Sequence, residues 1–512
     1  MSRLHYAPKN LQAITKMKVL LINPKFPDTY WSFRHALPFE GKRCAFPPLG
    51  LLTVSALLPE SWERRLVDLN IEELKTSDID WADMVFATAM LVQEESLRET
   101  VRRAKARGKC VVLGGPYVTS TIKQLPDADH IFRGEAEETL PQFIADLARG
   151  ETKRIYQAPE RPALALTPIA DFGLANLKRY SMMSVQYSRG CPFSCEFCDI
   201  IEIYGRSPRT KSNQQMLAEF DALKALGWRG TVFIVDDNFI GNKKNVRQLL
   251  PDLERWQKAN GYPFELLTES SVNLADDQPL LESMRRAGFN RVFLGIETPV
   301  EESLHEAQKS QNRGNLLESV KTIQHHGIEV MAGFIVGFDN DPEDIFERQI
   351  DFIRRSAIPL AMVGLLNALP DTQLWKRLDR EGRLLGEDAT GNNTVCTFNF
   401  KTRLDPAFLV RGYQTIMRTI YGPREYYERV LESLGRTSGD VPFEPRLYSP
   451  LAGLKALMKI LVKLGVIDRE RKEFWRFFVQ ALIRHRSQFA DSLRLAAVGY
   501  HFRKLSDAYG EN

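Results

Sequence analysis

The sequence of 512 residues is longer than one ordinary hydrophobic core can organise, so it predicts two or three domains. Its content of 44% hydrophobic and 26% charged residues is typical of a soluble globular protein, and no apolar run is long enough to cross a membrane. A net charge of only +4 gives no case for nucleic acid as a partner. The stretch from Met1 to Lys16 lacks the apolar core of a signal peptide, so we expect a cytoplasmic protein with reduced thiols.

Residues 17 to 150 alternate apolar strand patterns with helical patterns. This alternation predicts an α/β domain with a doubly wound, Rossmann-like sheet, whose ligand crevice lies at the carboxyl ends of the strands. Gly114, Gly115 and Pro116 stand at one such end, although tight strand-to-helix turns use glycine in any such fold. The predicted strands are Met17–Pro24, Arg65–Asp68, Met84–Thr88, Cys110–Gly115 and His130–Phe132, and the predicted helices are Leu49–Leu58, Glu94–Arg107 and Glu137–Leu147.

A linker rich in proline and alanine, residues 151 to 175, leads to the most informative segment of the chain. There, Cys191, Cys195 and Cys198 follow a predicted strand that ends in the turn residue Gly190. The spacing places three thiolates on one loop, which suits an iron–sulfur cluster of four irons with one iron left open for a ligand. The alternative is a structural zinc site, which needs a fourth cysteine or histidine close by, and none follows at a regular spacing. The other cysteines, Cys44, Cys110 and Cys396, are isolated in the sequence.

The cysteine segment resembles the signature of the radical S-adenosylmethionine (SAM) enzymes, which is C-x3-C-x2-C with an aromatic residue, here Phe197, before the last cysteine. The resemblance implies that Cys191, Cys195 and Cys198 bind a [4Fe–4S] cluster. It also implies that SAM binds the fourth iron and is cleaved to a 5′-deoxyadenosyl radical, with an electron donor such as flavodoxin or ferredoxin.

Residues 176 to 400 carry six predicted strands with helices between them, the number typical of the partial (β/α)6 barrel of this family. Chemistry in such barrels takes place at the carboxyl ends of the strands. By resemblance, two aspartates there lie in the region that contacts the methionyl amino group of SAM, and two glutamates lie near its ribose. The alternative is that each acidic residue caps the helix that follows it. The candidate SAM-binding residues are Asp236, Asp237, Glu269, Glu297 and Gly333.

Upstream of a radical SAM motif, the first domain resembles the cobalamin-binding domain of the class B radical SAM enzymes. Three segments carry the resemblance: Pro47–Leu52, Gly114–Pro116 and Arg133–Glu137. The D-x-H-x-x-G stretch, by which many other cobalamin proteins supply a histidine to the lower face of cobalt, is absent, and Asp68–Ile71 takes its place. We therefore expect cobalamin without a protein histidine on cobalt, and the alternative is a Rossmann-like platform without a ligand. The residues implied to contact cobalamin are Pro48, Leu49, Gly114, Gly115, Pro116, Gly134 and Glu135.

Residues 401 to 512 show no strand alternation and predict helices, one of them over Pro406–Ile420. Through Gly412-Tyr413 and Tyr421–Tyr427 they resemble the helical extension of a subgroup that includes the hopanoid C-2 methylases. From Leu451 to Leu505, twelve Lys and Arg residues stand against four Asp and Glu residues, with aromatic residues among them. Such a stretch suits peripheral contact with an anionic membrane surface, and the alternative is helices that cover the barrel and expose a solvated basic face.

Together these resemblances imply a cobalamin-dependent radical SAM methyltransferase that methylates an unactivated carbon of a hydrophobic substrate, such as a hopanoid-like lipid, by way of a 5′-deoxyadenosyl radical and methylcobalamin. One alternative keeps both cofactors but catalyses a cyclisation or rearrangement without methyl transfer. Another is a non-enzymatic iron–sulfur sensor or binding protein, which does not explain why acidic residues end successive barrel strands. A tetrapyrrole or other hydrophobic metabolite also stays open as the substrate.

Overall fold

The computed structural model of the protein describes residues 16–120, 125–386, 389–437 and 450–508. The first domain is a sheet of six parallel strands: β1 (Lys18–Asn23), β2 (Glu63–Asp68), β3 (Met84–Thr88), β4 (Cys110–Gly114), β5 (His130–Arg133) and β6 (Ile155–Gln157). Their order across the sheet is β2-β1-β3-β4-β5-β6. The helices of this domain are α1 (Leu37–Glu40), α2 (Leu49–Leu57), α3 (Thr76–Trp81), α4 (Glu94–Ala106), α5 (Pro116–Ser120) and α6 (Ala136–Arg149).

Helices cover both faces of the first sheet. On β3, Met84 packs into the core that also holds Leu51 of α2 and Phe143 of α6. The next residue, Val85, packs into the opposite core with Leu97 of α4. Because successive side chains of a strand point to opposite faces, a strand buried on both faces reads as one continuous apolar run. The predicted doubly wound sheet is confirmed.

The sheet extends into the segment predicted as an extended linker. Strand β6 pairs in parallel with β5, and Tyr156 stacks on Phe132 with their ring centroids 5.1 Å apart. The Tyr156 hydroxyl also donates to Asp146 at 3.0 Å. The sequence prediction missed this strand because three residues are too few to show a periodic pattern.

The second domain contains an open barrel of six parallel strands in the order β7-β10-β11-β12-β13-β14, as predicted, with β8 and β9 forming a separate antiparallel pair. Its strands are β7 (Met183–Val185), β8 (Ser188–Arg189), β9 (Arg209–Thr210), β10 (Gly230–Ile234), β11 (Phe264–Ser270), β12 (Phe289–Glu297), β13 (Glu329–Val336) and β14 (Leu360–Leu365). Its helices are α7 (Ile200–Ile203), α8 (Asn213–Ala225), α9 (Lys243–Ala259), α10 (Gln278–Arg286), α11 (Glu301–Glu306), α12 (Leu316–His325), α13 (Ile345–Ser356) and α14 (Gln373–Arg380).

The C-terminal region is helical, as predicted, and packs against the last strand of the barrel. The Tyr421 hydroxyl donates to the carbonyl of Ala361 in β14 at 2.7 Å and accepts from the N–H of the same residue at 3.1 Å. No helix among the described residues has both the length and the apolar character needed to cross a membrane. The helices are α15 (Pro406–Ile420), α16 (Pro423–Thr437), α17 (Pro450–Ile460), α18 (Arg471–Arg484) and α19 (Phe489–Ala508), and a π-helical segment, Leu461–Ile467, continues α17.

Ion pairs join the first domain to the barrel domain where β5 and β8 end. Arg189, at the end of β8, binds Glu135 at 2.5 Å and Glu137 at 2.8 Å. Both glutamates follow the carboxyl end of β5 in the first sheet. All three side chains are buried, so this contact fixes how the first domain sits against the barrel.

Candidate active site

The cysteine loop, residues 191–198, begins directly after β8 at the mouth of the barrel. Gly190 makes the entry turn with a φ of 97°, and a side chain there would meet the carbonyl oxygen of Gly205 at 2.8 Å. Only glycine fits this turn without strain. The loop is then held by backbone hydrogen bonds, among them one from the N–H of Glu196 to the carbonyl of Ala307 at 3.0 Å.

The three thiols of the loop are free, and two of them have an amide donor directed at the sulfur. Gln311 donates to Sγ of Cys195 at 3.3 Å, and Asn238 lies 4.0 Å from Sγ of Cys191. Burial raises the pKa of Cys191 and that of Cys198, so each bare thiolate is costly until a metal binds it. Hydrogen bonds to sulfur are a typical second shell of iron–sulfur clusters. The residues present therefore fit a [4Fe–4S] cluster.

In the described part of the chain, no three His, Cys, Asp or Glu side chains form a group that could hold a single metal ion. The cysteines of a four-iron cluster differ from such a group, because each thiolate binds a different iron atom.

An ion-pair network that the sequence did not predict holds the cysteine loop. Arg377 of α14 binds Glu196, which lies between two of the cysteines, and the closest N–O distance is 2.6 Å. The same guanidinium reaches Asp339 at 3.0 Å and Glu306 at 3.4 Å, and Arg383 binds Asp339 at 2.6 Å. The network thus connects the cysteine loop to the segments that follow β12 and β13.

Asp236, predicted as a SAM contact, is used inside the protein. Its carboxylate accepts hydrogen bonds from the N–H of Tyr187 at 2.7 Å and from the N–H and hydroxyl of Ser188 at 2.9 and 2.6 Å. Burial raises the pKa of Asp236 to about 6, although these donors act in the opposite direction. The side chain therefore tethers the approach to the cysteine loop, a role that neither the SAM contact nor the helix cap describes.

Asp237 and Glu269 are the strand-end acids with unused oxygen atoms. Asp237 accepts a long hydrogen bond of 3.3 Å from the N–H of Gly190, and the carboxylate of Glu269 makes no hydrogen bond or ion pair with any residue that the structure describes. Burial, and then repulsion between the acids, raises the pKa of Asp237 to about 7 and that of Glu269 to about 8. A ligand that carries an ammonium group and hydroxyls relieves this repulsion and supplies the missing hydrogen bonds. These residues therefore fit SAM.

Glu297 already has a cationic partner. It ends β12 with a φ of 65°, and its carboxylate binds the buried ammonium of Lys309 at 2.5 Å. Burial alone would lower the pKa of Lys309, but Glu297 and the cysteine thiols raise it. The ammonium also lies 5.7 Å from the ring centroid of Phe197, so the predicted aromatic residue is part of the same group.

Two glycines make room for this pair beside the barrel lumen. A Cβ at Gly295 would meet Nζ of Lys309 at 2.6 Å. A Cβ at Gly333 would meet the ring of Phe293 at 3.3 Å and an oxygen of Glu297 at 3.9 Å. That Gly333 contacts SAM stays a prediction. Gly295 and Lys309 could not be identified from any motif or pattern in the sequence.

Four of the residues predicted to contact cobalamin end or follow strands of the first sheet, on the side where the strands end. Pro48 caps the amino terminus of α2, and Leu49 is the first residue of that helix. Gly114 ends β4 and Gly134 follows β5. No atom lies within 4 Å of the place where a Cβ of Gly134 would stand. The backbone at Gly134 is therefore accessible at the edge where ligands of such sheets bind, as a bound corrinoid would require.

Gly115 has a structural reason to be glycine that does not involve a ligand. Its φ is 94°, and a side chain there would overlap the hydroxyl of Thr88 at the end of β3. Pro116 then begins α5. A larger residue at Gly115 would strain this turn before it reached any crevice.

Glu135, predicted as a cobalamin contact, uses its carboxylate between the domains. It binds Arg189 at 2.5 Å and Arg209 at 2.6 Å. The side chain is buried, and both arginines lie in the barrel domain. Only the backbone of Glu135 is left to face the open edge.

Asn70 stands in the segment that takes the place of the histidine motif, and its polar atoms are used. Its Nδ2 donates to Asp68 at 2.6 Å and to the carbonyl of Pro24 at 3.3 Å, while its Oδ1 accepts from the N–H of Phe26 at 2.8 Å. Asp68 is buried and also accepts from the hydroxyl of Tyr180 at 2.8 Å. The segment therefore offers no spare ligand to a cobalt ion.

Aromatic side chains from the two domains pack against each other. Trp31, from the segment that follows β1, stacks on Phe233 of β10 with centroids 5.9 Å apart and an interplanar angle of 13°. Phe293 of β12 lies 5.5 Å from Trp31, and Phe46 lies 6.1 Å from Phe233. Trp31, Phe46 and Phe293 are only partly buried, so an apolar surface remains open there.

Three family models match the chain. Residues 45–144 match the B12 binding domain, residues 185–353 match the radical SAM superfamily, and residues 372–512 match a domain of unknown function, DUF4070. The match to DUF4070 begins at α14 and runs through the C-terminal helices.

Two curated relatives align with nearly the whole chain. An uncharacterized methyltransferase of Synechocystis is 43% identical over 95% of this chain and 91% of its own length. The hopanoid C-2 methylase of Rhodopseudomonas palustris is 36% identical over 95% of this chain and 93% of its own length. Among solved structures, the cobalamin-dependent SAM radical enzyme OxsB matches with a TM-score of 0.61 at 16% identity, over 97% of this chain and 80% of that one. This last similarity concerns the fold.

Proposed function

Because this chain belongs to the cobalamin-dependent radical SAM enzymes, we propose that it is a methyltransferase that methylates an unactivated carbon of a hydrophobic substrate. Its family implies three cofactors: a [4Fe–4S] cluster, SAM and cobalamin. The observation that supports the proposal is that Arg189, just before the cysteine loop, is ion-paired with Glu135, which follows β5 of the first sheet, while Trp31 of the first domain stacks on Phe233 of the barrel. A substrate held at Trp31 and Phe293 would lie between the two cofactor sites.

When bound, the cofactors supply the adenosyl radical and the methyl group, and the protein supplies positions. We propose that Cys191, Cys195 and Cys198 hold the cluster, with Arg377 and Gln311 supporting the loop and a sulfur. Asp237 and Glu269 would hold the ammonium and ribose hydroxyls of SAM, and Asp236 would act through the loop. The remaining proposed contacts are Phe197, Glu297 and Gly333 for SAM, and Pro48, Leu49, Gly114, Gly115, Pro116, Gly134 and the backbone of Glu135 for cobalamin.

For the substrate we propose a polycyclic lipid of the hopanoid class. The supporting facts are the aromatic surface at Trp31, Phe233 and Phe293, and the full-length relative that is named a hopanoid C-2 methylase. An apolar, flat ring system gains most from stacked and partly exposed aromatic side chains. We further propose a cytoplasmic location, a low-potential donor such as flavodoxin or ferredoxin, and contact with a membrane surface, which is argued below.

The test uses the anaerobically reconstituted full chain, a reductant, SAM labelled with a trideuteromethyl group, and a hopanoid lipid without a ring methyl group. Mass spectrometry should show a lipid that has gained one labelled methyl group. The Cys198→Ala variant should make none, whereas Cys396→Ala, which changes an isolated thiol, should keep the product. Formation of 5′-deoxyadenosine without any labelled product from hopanoid or tetrapyrrole substrates would instead favour a cyclisation or rearrangement.

A further inference from the structure

The exposed apolar side chains of this protein are concentrated in one hairpin, α17, the π-helical segment and α18. Sixteen large hydrophobic residues are exposed in the described part of the chain, and ten of them lie between Leu451 and Ile483. Ile483 is 74% exposed, and Val466 and Leu451 are 64% and 62% exposed. Exposed apolar side chains scattered singly are ordinary, so their concentration in one segment of the chain points to an interaction surface.

The spacing shows that these residues form stripes along helices. On α17 the exposed positions are Leu451, Leu454 and Met458, three and four residues apart. On α18, Val479 and Ile483 are four residues apart, so they also share one face. An apolar stripe of this period normally faces a core.

Other residues of this hairpin are already buried against the rest of the protein, among them Ile460 at the end of α17. Phe477 of α18 stacks on Tyr427 of α16 with centroids 4.5 Å apart, and Phe474 and Ala481 are buried. Leu464 is buried, and Nε1 of Trp475 donates to the carbonyl of Gly465 at 2.9 Å, which ties α18 to the π-helical segment. The hairpin is therefore anchored, and its exposed stripes are additional apolar surface.

The polar residues of the same hairpin are mostly basic. From Leu451 to Arg486 there are nine Lys and Arg residues against three Asp and Glu residues. Asp468 is paired with Arg503 and Glu473 with Arg476, so two of the three acids are neutralised. Seven exposed basic side chains make no ion pair within the described residues, although one of them, Lys459, donates to the carbonyl of Pro38. They are Lys455, Lys459, Arg469, Arg471, Lys472, Arg484 and Arg486.

We propose that this hairpin docks on the surface of an anionic lipid bilayer. Its aliphatic side chains would enter the boundary of the acyl chains, and its unpaired basic side chains would meet lipid phosphates. A second copy of the chain is a poorer occupant, because each face would bring the same excess of positive charge to the other. The biological role of this docking rests on the proposed function. A hydrophobic substrate that is dissolved in the membrane could then reach the enzyme without passing through water.

The structure also corrects which part of the C-terminal stretch is suited to a membrane. The sequence-based hypothesis of membrane contact included the aromatic residues from Phe474 to Phe502 together with the basic residues. Phe474, Phe477 and Phe502 are buried, as are nine of the 20 residues of α19. The exposed apolar surface is instead mostly aliphatic and belongs to α17, the π-helical segment and α18.

The test is flotation of the full chain with lipid vesicles, without substrate or turnover, so that it is independent of methyl transfer. The chain should bind vesicles that contain phosphatidylglycerol and bind pure phosphatidylcholine much less, and salt should weaken the binding. A triple variant, Leu454→Ser, Met458→Ser and Ile483→Ser, should lose at least about ten-fold in vesicle binding. The control variant, Leu226→Ser with Leu385→Ser, changes residues of 46% and 49% exposure elsewhere and should bind as the parent does.

Two further measurements keep the proposal falsifiable. Arg471→Gln with Arg484→Gln should reduce binding to anionic vesicles while the thermal unfolding temperature stays that of the parent, because both side chains are exposed. Quenching of Trp475 fluorescence by brominated lipid should occur in the parent and fall in the triple variant. Equal vesicle binding by parent and triple variant would overturn the proposal. So would a parent dimer in sedimentation that the triple variant abolishes, since the face would then bind a second copy.

Discussion

Arg377 and Glu196 are 181 residues apart in the chain, and their side chains form two hydrogen bonds, of 2.6 and 3.1 Å. A guanidinium that binds a carboxylate through two parallel bonds fixes its orientation as well as its position. Because Glu196 lies between Cys195 and Phe197, this pair connects α14, the helix that follows the last barrel strand, to the cysteine loop.

Loss of this pair should make the cluster labile. We expect Arg377→Ala to increase the rate of iron loss to a chelator about 10–100-fold, the usual effect of removing an outer partner of a metal site. The measurement is bleaching of the cluster absorbance under anaerobic conditions. Arg380→Ala is the matched control, because Arg380 is exposed on the same helix and its side chain bonds, among the described residues, only the carbonyl of Lys376. Equal rates in both variants would show that the ion pair does not hold the loop.

Gln311 should tune the reduction potential of the cluster. Its Nε2 donates to Sγ of Cys195 at 3.3 Å, and a hydrogen bond to sulfur stabilises the reduced, more negative state. Gln311→Leu should therefore lower the potential, on the order of tens of millivolts. Redox titration followed by electron paramagnetic resonance measures this shift in potential. The control is Ser310→Ala, because Ser310 is the exposed neighbour of Gln311. An unchanged potential in Gln311→Leu would remove this role.

The fold class could be predicted from the sequence because it depends on local patterns, and the proposed cluster ligands rest on a local pattern as well. Apolar runs mark the parallel strands, and Cys191, Cys195 and Cys198 are close in the chain. The separate roles of Asp236 and Glu269 could not be predicted. Both are acids at strand ends, and only the fold shows that Ser188 satisfies Asp236 and that no described residue satisfies Glu269. Arg377 was missed because its partner is distant in sequence.

The stability of the ligand-free protein should fall as Glu269 ionises. The pKa of Glu269 in the folded state, about 8, lies above its ordinary value of 4.5, so the folded protein holds a proton that the unfolded chain releases. Stability should therefore decrease as the pH rises from about 4.5 to about 8. Glu269→Gln removes this loss, and its unfolding temperature at pH 8.5 should exceed that of the parent by ~3 °C or more.

The same variant should bind SAM less well. Loss of a charged hydrogen-bonding group costs about 1.5–3 kcal/mol, which corresponds to a roughly 10–100-fold weaker affinity. Isothermal titration calorimetry with cluster-loaded protein measures this. The control is Glu282→Gln, because Glu282 is exposed. Glu265→Gln would be unsuitable, since Glu265 binds Arg291 at 2.8 Å. A Glu269→Gln variant that is less stable at pH 8.5 and binds SAM unchanged would contradict both expectations.

Bound cobalamin should carry no protein nitrogen on cobalt. Asn70 in the segment that replaces the histidine motif is saturated with protein partners, including Asp68 at 2.6 Å. Electron paramagnetic resonance of the cobalt(II) form should therefore lack nitrogen superhyperfine splitting from an axial base. If such splitting appears and is lost when a histidine of the protein is replaced, then a residue outside this segment reaches the metal.

The central claim, methyl transfer that uses both cofactors of one chain, is tested most directly by the ratio of two products of SAM. A methyltransferase of this kind uses one SAM as methyl donor and a second as radical source, so S-adenosylhomocysteine and 5′-deoxyadenosine should form in equal amounts with the methylated product. Both should be quantified in single time courses of the reconstituted chain with its lipid substrate. Equal yields of all three products are the predicted result. Abundant 5′-deoxyadenosine with turnover of the substrate but no S-adenosylhomocysteine would contradict the account.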